Sequence, residues 1–127
     1  MEPRAEVDRL ARQCIGSAIE VHKQLGPGYL ERIYEEALAI ELTARGISCE
    51  RQVEFAVDYK GIPVGASRLD MLIEKRLVPE LKAVEQLHAV HKAQVISYLK
   101  ATRLQLALLI NFNVPVLKNG IQRIILT

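Results

Sequence analysis

The run Leu104 to Phe112, LQLALLINF, places the tightest limit on what this chain can fold into. Only Gln105 and Asn111 interrupt it. It is too apolar for a strand with one face in water and reads instead as a central strand. Two helical patterns near the start can supply cover. Val7, Leu10, Cys14, Ala18, Val21 and Leu25 recur at steps of three and four, which predicts a helix over 6–24 with one buried stripe. Gly26-Pro27-Gly28 ends it, because proline lacks a donor and glycine accepts a tight reversal. Leu30, Ile33, Tyr34, Ala37, Leu38 and Leu42 predict a second helix up to Arg45, closed by Gly46.

The period then changes to two. Val53, Phe55 and Val57 alternate with Gln52, Glu54 and Asp58, which predicts a half-buried strand. Lys60-Gly61 can turn it into a second strand, Val64 to Ile73, and Glu74-Lys75-Arg76 can turn that into a third, Leu77 to Val84. Ala89 to Thr102 lacks glycine and proline and reads as a third helix. Ile121 to Leu126 closes the chain as a short strand. The expected fold class is therefore α+β, with an antiparallel three-strand meander, a crossover helix and further strands in a mixed sheet. The crossover would make the third and fourth strands parallel.

With 127 residues, half of them apolar, the chain can build one core, and a single domain over 1–127 is expected. No stretch approaches the ~18 apolar residues of a membrane helix, so no membrane contact is expected. The charged start, MEPRAEVDRLARQ, does not look like a secretory signal, which makes the expected location cytoplasmic. Cys14 and Cys49 show no zinc spacing and read as buried thiols in a reducing compartment. A net charge of +2, from 17 basic and 15 acidic residues, is far below that of a protein that grips DNA by charge alone.

Chemistry concentrates in R68-L-D-M-L-I-E-K-R-L-V-P-E-L-K-A. Glu80 and Lys82 share one face of their strand, and the hairpin can bring Asp70 alongside them. Such charges are costly to bury unpaired. Phosphodiester hydrolysis gives them a use: two carboxylates can hold a divalent cation, while a lysine orients the attacking water or stabilises charge on phosphorus. On spacing alone, a surface ion pair of Glu80 with Lys82, worth about 0.5 kcal/mol, is the commoner arrangement.

D70…E80-L-K82 resembles the signature of PD-(D/E)XK nucleases, with Leu69 in place of the literal proline. G28-Y-L-E31-R-I-Y34, preceded by I19-E-V-H-K-Q-L-G-P-G, is similar to the GxxExxY family of small proteins within that superfamily. Q94-V-I-S-Y98 resembles the QxxxY element of RecB-type nuclease domains, and its two polar residues share one helix face. The likeness runs from about Ile15 to Leu126. It implies a restriction-endonuclease-like core acting as a nuclease with Mg²⁺ or Mn²⁺, and a nucleic-acid substrate with DNA ahead of RNA. It makes Asp70 and Glu80 metal ligands, with the Leu81 carbonyl as a further candidate, Glu31 the remote acid and Lys82 the catalytic lysine. Gln94 and Tyr98 would orient Lys82 or contact substrate.

The alternative is an inactive module that keeps the nuclease fold for nucleic-acid or protein binding, and either version could need a homodimer or partner protein. Pro79 stands where an aliphatic residue would be usual, so the strand is either bulged there or unpaired on one side. Lys92, Lys100 and Arg103 form a solvated helix face that could follow a phosphate backbone. Glu31, Glu35 and Glu36 also suit the positive end of a helix dipole, and Tyr34 reads as a packing residue. His88 and His91 make a weak metal pair, and His22 is a reserve candidate near the GPG turn.

Overall fold

The computed structural model describes residues 5–126. Two helices, α1 (Ala5–Leu25) and α2 (Glu31–Ala44), precede β1 (Cys49–Tyr59), β2 (Ile62–Ile73) and β3 (Leu77–Lys82). Helix α3 (Ala89–Thr102), strand β4 (Leu106–Asn111), a single 3-10 turn at Leu117–Gly120 and β5 (Ile121–Ile125) complete the order. The five strands lie in the sequence β1-β2-β3-β4-β5, with β3 and β4 parallel and the other neighbours antiparallel. The meander, the crossover and the central apolar strand thus stand as expected. Every residue of β4 is buried.

Period-two alternation on β3 and β4 divides the core into two layers. Leu77, Leu81, Leu106, Leu108 and Ile110 pack with α1 and α2. Val78, Ala107 and Leu109 pack on the opposite side with Val95 and Leu99 of α3. Glu80 and Lys82 therefore belong, by alternation, to the α3 side.

Backbone turns fix these elements. Gly26 and Gly28 have φ of 71° and 111°, and the Gly26 N–H donates to the His22 carbonyl at 2.8 Å. The Tyr34 hydroxyl donates to the Gly26 carbonyl at 2.7 Å and accepts from the Tyr29 N–H at 3.1 Å. Its ring is fully buried and stacks on Phe112 at 4.4 Å. Tyr34 thus ties the GPG reversal to α2 and to the end of β4. At the β2–β3 turn, Glu74 and Lys75 have φ of 51° and 58°, and Arg76 N–H bonds the Ile73 carbonyl. Two left-handed residues in succession make a primed turn, whose twist suits the joining of antiparallel neighbours.

Two sequence expectations shift here. Cys14 is buried, its thiol pushed up to about 12 by burial, but Cys49 is only half-buried. His22 is spent on structure, with Nε2 2.8 Å from the Val114 carbonyl and its ring beside Phe112. No helix among the described residues is long and apolar enough to cross a membrane.

Candidate active site

The β2–β3 ladder registers at one pair, Ile73↔Leu77, immediately beside the turn. Continuing that register three steps places Asp70 opposite Glu80, and opposite residues of antiparallel strands share a face. Pro79 lies next to this point and has no N–H to give. Of the two arrangements open for Pro79, the unpaired side is the one found. β3 keeps its other edge, pairing continuously with β4 from Leu77↔Leu106 to Lys82↔Asn111. Asn111 secures the exit, accepting from the Val84 N–H at 3.1 Å and donating to the Val84 carbonyl at 2.9 Å.

Glu80 is 4% exposed, and its Oε1 is buried without a hydrogen-bond partner. Burial, then the neighbouring Asp70, push its carboxyl up to about 7, with Glu31 adding to the rise. Asp70 is half-buried and raised by burial and by Glu35, against the opposing pull of Lys82, Arg68 and the Gln52 side chain. Glu31, at the start of α2, is raised by partial burial, with Asp70 and Glu35 adding and Lys82 and His91 opposing. The three acids feel one another, as expected if each approaches the same volume.

Lys82 is the close cation in this group. Its Nζ lies 3.6 Å from Glu80 Oε2 and donates to Gln94 Oε1 at 3.1 Å. The Gln94 amide donates in turn to the Tyr98 hydroxyl at 2.9 Å. Tyr98 rests edge-on against Phe55, with ring centroids 5.4 Å apart. A chain of contacts from β1 through α3 thus fixes where the Lys82 ammonium sits. Gln94 is four residues before Tyr98 on one helix face, which makes the link geometrically simple.

The remaining expected residues are placed elsewhere. Lys92 is exposed on α3. Lys100 lines an open cleft of about 420 Å³ with Asp58, Ser97 and Arg103, between α3 and the outer part of β1. Two residues near the site were given no part in it by the sequence. Glu35 is buried and paired with Arg51 at 2.8 Å, and Arg51 also holds Glu36 at 2.7 Å. The exposed Gln52 lies across the ladder from Asp70 and draws its pKa down, and in sequence it looks like an ordinary solvent position of an alternating strand.

Among the described residues no group of three or more His, Cys, Asp and Glu side chains is placed to hold a metal ion. The donor set is nevertheless compatible with a divalent cation: two facing carboxylates, a third nearby and an orphaned buried oxygen on Glu80. Hard cations of the Mg²⁺ type keep several waters and need only one or two protein carboxylates.

A five-stranded mixed sheet carrying neighbouring acids and a tethered lysine, backed by helices on both sides, defines a restriction-endonuclease-like α+β fold. Residues 8–124 match the PD-(D/E)XK nuclease superfamily, and the chain belongs to it. No curated protein and no solved structure matches the chain.

Proposed function

We propose that this chain hydrolyses phosphodiester bonds of nucleic acid, DNA ahead of RNA, with Mg²⁺ or Mn²⁺. The observation that carries the reading is the buried, partnerless Glu80 Oε1 within a group of three acids and one lysine. A carboxylate so placed needs a proton or a cation, and a nucleic-acid phosphate cannot approach this much negative charge without one.

Asp70 and Glu80 would hold the metal, with Glu31 approaching from the start of α2 and the Leu81 carbonyl a further candidate. When bound, the cation would polarise the phosphoryl oxygen and offset the negative charge of the acids. Lys82, steered by Gln94, stands where its ammonium can orient the attacking water or stabilise charge developing on phosphorus. Tyr98 acts on Lys82 through Gln94, although the likeness to other nucleases also allows it a substrate contact. Lys92 and Lys100 lie on the helix that supplies Gln94 and can follow the phosphate backbone.

The test is cleavage of single-stranded, duplex and branched DNA and of RNA with Mn²⁺, comparing wild type with Lys82→Ala. Cleavage by the wild type and its loss by at least about 100-fold in the variant are expected. Equal cleavage by both, or none by either, would overturn the enzyme reading. If nucleic acid still bound without cleavage, the chain would instead be a binding module.

A further inference from the structure

Gln52 holds a backbone conformation that its strand does not call for. Its φ is +54°, and among the described residues it is the non-glycine position with positive φ inside a strand; Lys60, Glu74, Lys75 and Arg103 sit at turns or a helix end. The pairs Arg51↔Met71 and Val53↔Leu69 bracket it, which sets Gln52 directly across from Asp70. Its side chain is exposed, so it fills no core space, yet it acts on the Asp70 carboxyl across the ladder and draws its pKa down.

The same step changes the face of the hairpin. Arg51 reaches Glu35 and Glu36 of α2, and Met71 packs with the α1–α2 layer. Two residues further out, Val53, Phe55 and Leu69 pack in the α3 layer, although a two-residue period would keep them with Arg51 and Met71. Both strands switch sides at Gln52 and Asp70. Phe55 is thereby delivered to Tyr98, the outer member of the Lys82–Gln94–Tyr98 chain.

We propose that Gln52 is a positioning residue for Asp70: its left-handed backbone sets the switch, and its side-chain amide fixes the carboxylate in the direction that a metal requires. A left-handed conformation costs an L residue energy that glycine avoids. Were the backbone switch the whole purpose, glycine would serve better. Strain of this kind, held beside a cluster of charged groups, points to use of the side chain. The inference rests on Asp70 being a metal ligand and adds how that ligand is aimed.

Gln52→Gly separates the two roles, because it keeps the backbone conformation and removes the amide. The full-length variant, with Gln52→Leu beside it, is compared with wild type by thermal melting in EDTA and by calorimetric titration with Mn²⁺. The expected result for Gln52→Gly is a melting temperature equal to or above that of wild type, with Mn²⁺ affinity weakened by roughly 10-fold or more. Gln52→Leu is expected to lose the same affinity with a lower melting temperature. Wild-type Mn²⁺ affinity in Gln52→Gly overturns the proposal. A metal-free measurement keeps the two readings apart: the Gln52 side-chain amide resonances are expected to move in Asp70→Asn. If wild type and Asp70→Ala bind Mn²⁺ equally, the metal reading falls, and the amide resonances then decide whether Gln52 addresses Asp70. Unmoved resonances overturn the inference.

Discussion

Replacing Glu80 by glutamine removes one negative charge and keeps the shape of the side chain, and it is expected to strengthen the metal-free fold at alkaline pH. Burial and Asp70 raise this carboxyl from 4.5 to about 7. A raised acid confers stability that is complete below its unfolded value and is lost as pH climbs through its folded value. The window therefore runs from about 4.5 to 7. At about 1.4 kcal/mol per pH unit, the ionised carboxylate costs the native state roughly 3 kcal/mol above that window. Exposure of only 4% leaves little screening to reduce the figure. In EDTA at pH 8, Glu80→Gln should exceed wild type by up to about 3 kcal/mol, or roughly 10 °C in melting temperature for a chain of this size. At pH 5 the gap should shrink to about 1 kcal/mol. Urea unfolding followed by circular dichroism at both pH values measures the gap. A variant no more stable than wild type at pH 8, or a gap of the same size at both pH values, would refute the account of Glu80 as a buried charge awaiting a counter-ion. Mn²⁺ at 100 times its dissociation constant should restore about 2.7 kcal/mol to wild type and much less to the variant.

Gln94→Leu, which frees Lys82 Nζ from its 3.1 Å acceptor, should lower kcat by roughly 10-fold with little change in KM, read from steady-state cleavage. Tyr34→Phe leaves the Gly26 carbonyl without its 2.7 Å donor and the Tyr29 N–H without its acceptor, and should cost about 1–2 kcal/mol in urea unfolding. Lys75→Gly, at φ of 58° in an exposed turn, should gain about 1 kcal/mol by the same measurement, whereas an alanine there should give no such gain.

Much of this architecture can be read from the chain because it depends on period and punctuation. The steps of three and four in α1 and α2, the alternation of β1, the Lys60-Gly61 turn and the unrelieved apolarity of β4 each state a local preference that the packed core agrees with. Asp70, Glu80 and Lys82 were legible because charges in an apolar hairpin need a partner. Pro79 likewise announced the break in the ladder. Gln52 was hidden because nothing in a polar residue between Arg51 and Val53 reports the sign of φ. The buried pairing of Glu35 was hidden because its partner, Arg51, comes from another element, and helix period alone counts such a residue as surface. The structural role of His22 was equally out of reach, since the Val114 carbonyl beside its Nε2 lies far along the chain.

The single registered pair between β2 and β3 has a consequence for how the molecule opens. The β1–β2 hairpin is joined to β3, β4 and β5 by one bonded rung, side-chain packing and a tight turn, so the two parts need not exchange their amide protons as one cooperative unit. Asp70 belongs to the first part and Glu80 to the second. A cation shared by these two carboxylates would act as a rivet across the seam, and its arrival should slow hydrogen exchange along β2 as far as the outer strand β1.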